Sequence, residues 1–467
     1  MKKLLRFGVL AISAGALLSG CSETDITRGS LIEAAVLKAA QTKEQLKAAA
    51  DKASITAIVG SPACSVAGYS SRVRTRGGAN ESTNSAAALM VPSGDATACQ
   101  GERPVVLYGH GTTTDKGFNM ANVENGEALT VAAAFAAQGF IVIAPNYAGY
   151  SGSDLAYHPY LNAEQQSGEM VDAWRAASSA LSAIGAKTTS KLFLAGYSQG
   201  GFVSMATQRA MQLAGISVTS SSHMSPASSL STFGDAVFGG NVNLGATVFL
   251  PLMTTSYQRA YGNIYTATSD IYETAYAAEI DGLLPSTKSQ STLFTEGKLP
   301  PLAMFSASST PKPAGFEAFY GAGNLVKDSY RMSVLADIQA NPTAPKNGLR
   351  AAALKNDLLK LDWTPTGTML ICGGSSDPTV FWEVNGKAAQ TYFKSKGRLD
   401  SEAILLDVDS AASTGDPFKA IKDGFATAKA AVAATEGAAK VVEKYHGTLV
   451  PPFCMAAARN YFAAFAK

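Results

Sequence analysis

The chain has 467 residues, of which 46% are hydrophobic and 16% charged, and its formal net charge is +2 at pH 7. The apolar content is enough for a sizeable core, while the near-neutral charge argues against a nucleic-acid partner, which would need a basic patch. The chain has only four histidines, and none of its five cysteines has the spacing of a zinc site. We therefore predict no metal and no other cofactor.

The first twenty residues have the pattern of an export signal. Three basic residues precede an apolar stretch, 7–18, that is shorter than the roughly 20 residues needed to span a bilayer. Residues 18–21, Leu-Ser-Gly-Cys, resemble the lipobox of bacterial lipoproteins. The resemblance implies removal of signal peptide 1–20 and lipidation of Cys21, and Ser22 implies sorting to the outer membrane of a Gram-negative cell. A plain secretory signal with an incidental cysteine is the alternative.

The polar, alanine-rich segment 21–50 is interpreted as a surface helix between anchor and domain, or as a disordered tether. After it, stretches 55–59, 66–74 and 86–91 have strand character and are separated by turn residues. They predict an antiparallel start to a sheet whose first part spans 51–226.

Strands and helices then alternate. Short buried-type strands are predicted at 104–108, 140–144 and 191–195, with helices at 127–137 and 163–184 between them. This alternation predicts an α/β fold with a mostly parallel, doubly wound sheet.

The alternation stops at about residue 227. Segment 227–365 is rich in Tyr, Phe, Thr and Ala and predicts a large helical cap inserted into the sheet, or else a separate second domain. Strands resume at 368–372 and 403–407 in the second part of the core, 366–467. An alanine- and lysine-rich stretch, 411–444, predicts a further helical insertion.

A possible nucleophile follows the strand at 191–195. Residues 196–201 read Gly-Tyr-Ser-Gln-Gly-Gly and precede the amphipathic segment 202–213. The pattern G-x-S-x-G between a strand and a helix is the signature of a nucleophile elbow, although it also occurs by chance. We predict Ser198 as the nucleophile.

The loop after strand 104–108 is a candidate oxyanion loop. Its Gly-His-Gly-Thr sequence resembles the α/β-hydrolase loop that donates one backbone N–H, with Gln199 donating the second. Within this loop, formed by His110, Gly111 and Thr112, Thr112 is the predicted donor. We interpret His110 as bracing the loop rather than as the general base.

An acid and a base follow in the order Ser-Asp-His, which resembles the order in α/β-hydrolases. Asp377 follows strand 368–372 and is the predicted acid, with Asp407 and Asp409 as alternatives. A purely structural role for Asp377, as the cap of a turn, is the other interpretation. His446 is the only histidine after Asp377 and is the predicted base. The remaining histidines, at positions 158 and 223, are interpreted as cap or loop residues.

Four cysteines remain after Cys21, and an even number in an exported chain predicts two disulfides with three possible pairings. We favour Cys64–Cys99 and Cys372–Cys454, because the second bridge would hold the acid and base loops together.

These motifs together resemble the α/β-hydrolase superfamily, and within it the secretory lipase and esterase group, over about 85–226 and 366–467. The resemblance implies a Ser-His-Asp triad that hydrolyses small-molecule or lipid carboxylic esters through an acyl-enzyme. The long insertion before the base departs from the pattern. The lipid anchor would make the membrane a second partner. A serine peptidase or amidase on the same fold, and a non-catalytic ligand-binding lipoprotein, are the alternatives.

Overall fold

The computed structural model describes residues 27–124 and 126–466, so the predicted signal peptide and Cys21 lie outside the described residues. The described residues form one sheet whose strands, in chain order, are β1 Leu31–Gln41, β2 Ser65–Arg76, β3 Ser82–Ser93, β4 Glu102–Gly109, β5 Ile141–Pro145, β6 Lys187–Tyr197, β7 Ser220–Met224, β8 Thr368–Gly373 and β9 Ala403–Asp407.

The spatial order of the strands is β1-β2-β3-β5-β4-β6-β7-β8-β9. Strands β1, β2 and β3 pair antiparallel, as do β3 and β5, whereas every neighbouring pair from β5 to β9 is parallel. The carboxyl ends of β4, β6, β7 and β8 therefore lie at one edge of the sheet, where active sites of open parallel sheets are found.

The helices, in chain order, are α1 Lys43–Lys52, α2 Thr56–Val59, α3 Gly126–Ala134, α4 Ala163–Ala183, α5 Gln199–Leu213, α6 Leu230–Phe238, α7 Ala246–Tyr261, α8 Thr274–Ala277, α9 Gln290–Thr295, α10 Asp328–Ala340, α11 Gly348–Lys355, α12 Ala388–Ser395, α13 Lys419–Glu436, α14 Ala438–Lys444 and α15 Val450–Ala463. None of the helices in the described ranges is long and apolar enough to cross a membrane.

Helices cover both faces of the sheet, so the central strands are apolar on both sides. On β4, Leu107 packs into the core shared with α4 and α5, while its neighbour Val106 packs into the core shared with α3 and α15. This alternation follows from the two-residue period of a strand.

The amino-terminal segment differs from its prediction. Residues 31–41, predicted as a surface helix or tether, form the edge strand β1, because pairing with residues 66–73 of β2 outweighs the helical preference of their alanines. The helix begins only at Lys43, where Thr42 and Gln45 form a capping box. Residues 56–59, predicted as a strand, form the short helix α2.

Six helices, α6 to α11, lie between β7 and β8, within the segment predicted as a cap. Leu230 of α6 and Val248 of α7 belong to the same apolar cluster as Met205 of α5. These helices thus share the core of the sheet. The predicted boundaries 227 and 365 remain a prediction.

Two disulfides lie in the core, and they are the pairings favoured from the sequence. Cys64 is bonded to Cys99, and Cys372 at the end of β8 is bonded to Cys454 in α15. All four cysteines are buried.

Candidate active site

Ser198 stands at the sharp junction between β6 and α5. Its backbone has φ +59° and ψ −118°, a conformation that is strained for a residue with a side chain and is typical of functional sites. The Ser198 N–H donates to the carbonyl of Met224 on the neighbouring strand at 2.8 Å and holds the turn in place.

The glycines of the elbow are required by close packing. A Cβ atom on Gly196 would lie 2.0 Å from the carbonyl oxygen of Gly200, and one on Gly200 would lie 1.8 Å from the carbonyl oxygen of Gly109. Both distances are far inside van der Waals contact. Only glycine therefore lets the elbow pack against the loop after β4.

His446 lies in a π-helical turn, Tyr445–Leu449, between α14 and α15. Its Nε2 is 2.8 Å from Ser198 Oγ, and its Nδ1 is 2.7 Å from Asp377 Oδ2. Because the carboxylate can only accept a hydrogen bond, Nδ1 carries the proton and Nε2 is left to accept one from the serine.

The carboxylate of Asp377 is buried and fixed by the backbone. Its Oδ1 accepts the N–H groups of Thr379 and Val380 at 2.8 and 3.0 Å, which leaves Oδ2 to face His446. Oδ1 thus caps the turn, as the structural interpretation predicts, while Oδ2 of the same carboxylate is free for the contact that a triad requires.

The alternative acids lie elsewhere. Asp407 Oδ1 accepts the backbone N–H of Ser375 at 3.0 Å, and Asp409 is paired with Lys429 and with the hydroxyl of Tyr445. Within the described residues, Asp377 is the carboxylate that contacts the ring of His446.

The loop after β4 meets the start of α5 beside Ser198. The backbone N–H groups of Thr112 and Gln199 donate to no acceptor in residues 27–124 and 126–466. Two free amides beside Ser198 match the requirement for stabilising an oxyanion.

His110 is fully buried and stacks on Tyr147 with 4.1 Å between ring centroids. Its Nδ1 and Nε2 lie 2.7 and 3.0 Å from the carbonyls of Gly111 and Asn146. Burial lowers its pKa to about 4, so the ring is neutral at pH 7 and donates to one of these carbonyls. The bracing role of His110 stays a prediction.

The two other histidines are buried: His158 lies in a loop, as predicted, whereas His223 lies on a strand and not in a cap or loop. His158 Nδ1 donates to the carbonyl of Ala148, so its Nε2 accepts from the side-chain amide of Gln199 at 2.7 Å. His223 on β7 contacts Ser204 and Gln208 of α5. Burial lowers the pKa of both rings to about 3.

Sequence reasoning missed two groups at the site. The Tyr197 hydroxyl donates to the carbonyl of His446 at 2.5 Å and so fixes the backbone of the base. Glu127 in the first turn of α3 accepts the N–H of Gly111 with both carboxylate oxygens at 3.0 Å. The one signal for Glu127 was an acidic residue at the start of an otherwise apolar helix.

An apolar cavity of about 80 Å³ opens beside Ser198. Ser198 and Gln199 are among its lining residues, and the walls come mainly from apolar residues of α6 and α7, namely Leu230, Phe233, Val237, Phe238, Phe249, Leu250 and Met253. This cavity suits an uncharged acyl group.

A wider cleft of about 450 Å³ is also lined by Ser198. Ser198 and Phe249 line both spaces, while His446, Glu127 and Thr112 line the cleft alone. The site thus has a narrow apolar arm and a wider, more polar arm. No cluster of metal-ligating side chains exists in the part of the chain that the structure describes.

Comparisons with known proteins bear on the fold and on the resemblance to a family. Residues 117–216 match the family model described as secretory lipase. The rice cell wall degrading esterase LipA from Xanthomonas oryzae superposes with a TM-score of 0.72 at 22% identity, covering 94% of this chain and 100% of that one. The chain has the α/β-hydrolase fold, and its residues 117–216 resemble the secretory lipase family.

A proposed hydrolase from Legionella pneumophila superposes with a TM-score of 0.69 at 15% identity, covering 93% of this chain and 98% of that one. No curated protein sequence matches significantly. The predicted α/β-hydrolase fold is confirmed. The two disulfides are typical of exported proteins, and the family matched over residues 117–216 is described as secretory.

Proposed function

We propose that this hydrolase cleaves carboxylic esters through the triad Ser198, His446 and Asp377 and an acyl-enzyme. The observation that carries the proposal is the unbroken pair of hydrogen bonds, 2.8 and 2.7 Å, from the serine through the imidazole to the buried carboxylate. This pair of bonds lies where the apolar cavity, the cleft and two free backbone amides meet.

In the proposed mechanism, His446 Nε2 takes the proton of Ser198 as the serine oxygen attacks the ester carbonyl. The amides of Thr112 and Gln199 stabilise the oxyanion, and Asp377 stabilises the imidazolium. His446 then protonates the leaving alcohol, and a water molecule repeats the sequence on the acyl-enzyme. Removal of one oxyanion donor typically costs about 3–4 kcal/mol of transition-state stabilisation.

The two arms of the site suggest how the substrate divides. The apolar cavity takes the acyl chain, since its walls hold few groups that could stabilise a charge. The cleft, which His446 lines, takes the alcohol, because the base must reach the leaving oxygen. The helical segment 227–365, which supplies the cavity walls, acts as the proposed acyl-binding cap.

The finer location is a separate proposal from the sequence. The lipobox-like residues 18–21 support a diacylglyceryl anchor on Cys21 and an outer-membrane location. Incorporation of labelled palmitate into the wild-type protein but not into Cys21→Ser would support the anchor. Equal labelling of the two would contradict it.

The catalytic proposal is tested with a fluorophosphonate probe and p-nitrophenyl esters. We expect the probe to label the wild-type hydrolase at Ser198, and Ser198→Ala to lose labelling and nearly all ester turnover while unfolding at the same temperature. A folded Ser198→Ala protein with full turnover would refute the proposal. Turnover of peptides without turnover of esters would instead favour an amidase.

A further inference from the structure

Glu127 has no part in the mechanism above, yet its carboxylate contacts the loop that supplies an oxyanion amide. The N–H of Gly111 donates to Oε1 and to Oε2, each at 3.0 Å. Gly111 directly precedes Thr112, so this contact fixes the peptide unit next to the Thr112 amide. No other contact of the Gly111 N–H occurs among the described residues.

The carboxylate is itself held from the other side. Tyr108, a fully buried residue of β4, donates its hydroxyl hydrogen to Glu127 Oε1 at 2.6 Å. The glutamate therefore connects a rigid strand to the loop that follows it. Since the loop leaves the sheet two residues after Tyr108, this connection limits how far the Thr112 amide can move.

The contact lies close to the reacting atoms. A methyl group placed on Gly111 would be 3.3 Å from Glu127 Oε2 and 3.8 Å from Ser198 Cβ. A negative charge here opposes the oxyanion, and desolvation raises the pKa of Glu127 to about 7. The charged and titratable groups that face it are Tyr108, Tyr147, Tyr197 and His446.

We propose that Glu127 is a positioning residue that orients the oxyanion loop through the Gly111 amide. The inference rests on the proposed ester hydrolysis. The loop requires from Glu127 an acceptor oxygen within hydrogen-bond distance of the Gly111 amide. It does not need the negative charge, which is unfavourable beside a developing oxyanion.

Two substitutions separate reach from charge. Glu127→Gln keeps the side-chain length and an acceptor oxygen but removes the charge. Glu127→Asp keeps the charge but withdraws the oxygens by about 1.5 Å, the length of one carbon–carbon bond. We expect Glu127→Asp to lower kcat by about 10–100-fold with KM within about twofold, because the lost interaction acts in the transition state. Glu127→Gln should keep kcat at least about tenfold above that of Glu127→Asp.

Glu169→Asp is the matched control for damage to the core. Glu169 is a buried glutamate whose Oε2 accepts the backbone N–H of Ala148, outside the oxyanion loop. We expect this variant to keep a kcat close to that of the wild-type enzyme.

The outcomes are distinct. A Glu127→Asp enzyme with the wild-type kcat, an equal loss in Glu127→Gln, or an equal loss in Glu169→Asp would overturn the inference alone, provided that the wild-type enzyme hydrolyses the ester. An inactive wild-type enzyme would overturn the proposed function and this inference with it.

Discussion

The hydroxyl of Tyr445 donates a hydrogen bond to Asp409 Oδ2 at 2.7 Å. The same hydroxyl accepts the backbone N–H of Ser376 at 3.2 Å, and Asp409 is also paired with Lys429 of α13. The helical insertion before His446 is thereby connected to the loop that carries Asp377. The insertion, which departs from the pattern of the resembling family, thus stabilises the loop that carries Asp377, here called the acid loop.

Removal of the Tyr445 hydroxyl should loosen the acid loop. Tyr445→Phe keeps the buried ring but leaves the Ser376 amide and Asp409 without this partner, so we expect a loss of about 1–3 kcal/mol in unfolding free energy. We also expect a lower kcat with little change in KM. Urea unfolding and ester kinetics measure both. Tyr392→Phe, which removes a hydroxyl bonded to the carbonyl of Leu361, is the control and should leave kcat unchanged.

Asp377→Asn should disable the proposed base without disturbing the fold. An amide nitrogen facing Nδ1 would favour the wrong imidazole tautomer, and the equivalent change in a serine protease costs about 10⁴-fold in kcat. Stopped-flow ester hydrolysis measures the loss. Asp407→Asn, at the alternative acid of the sequence prediction, should retain nearly full activity. The opposite ranking of the two variants would reassign the acid.

Gly234 offers a test of the acyl cavity. It lies on α6 in the cavity wall, and a Cβ atom there would meet no heavy atom within 4 Å. Gly234→Ala should therefore stabilise the fold by up to about 1 kcal/mol through helix propensity. Gly234→Phe should shorten the cavity, so that turnover of long-chain p-nitrophenyl esters falls while turnover of the acetate is kept. An unchanged chain-length profile would place the acyl chain elsewhere.

His223 should make the fold sensitive to acid. Its Nε2–H donates to Gln208 Oε1, and burial lowers the pKa of the ring to about 3. Between the ordinary histidine pKa of about 6.5 and pH 3, the unfolded chain binds a proton that the folded chain does not, so stability falls as pH falls through this window. The loss of unfolding free energy that is due to His223 approaches 1.4 kcal/mol for each pH unit within this window.

The matched variant for this effect is His223→Gln, which cannot take up a proton. The unfolding free energies of the two proteins are measured in urea from pH 7 to pH 4.5. We expect the free energy of the variant to fall less steeply with falling pH, by the slope that corresponds to the uptake of about one proton on unfolding. Parallel pH profiles would mean that His223 is protonated in the folded state.

The Cys372–Cys454 bridge should matter for catalysis as well as for stability. It joins the end of β8, which leads to Asp377, to α15, which follows His446. Replacement of both cysteines by alanine should cost about 2–5 kcal/mol of unfolding free energy and lower kcat. The Cys64–Cys99 double alanine variant lacks a bridge away from the triad, so it should lose stability but keep kcat. Equal effects of the two double variants on kcat would show that the Cys372–Cys454 bridge has no special role in catalysis.

Much of the fold and of the candidate site could be predicted from the sequence, because the sequence signals are local or depend only on the order of residues along the chain. The buried strands were found as short apolar runs, and Ser198 by its position between one of them and a helix. Asp377 and His446 followed from their order in the chain and from the rule that parallel strands end at one edge of the sheet. The structure brings all three together, and their catalytic roles remain proposals.

The tertiary structure alone decided the rest. Residues 31–41 have the composition of a helix but become an edge strand, because residues 66–73 of β2 offer backbone hydrogen bonds to them. The contacts of Glu127 with Gly111 and of His158 with Gln199 join residues 16 and 41 positions apart. A single polar residue carries no periodic pattern that reveals its burial or its partner, so such contacts are settled only when the sheet brings its loops together.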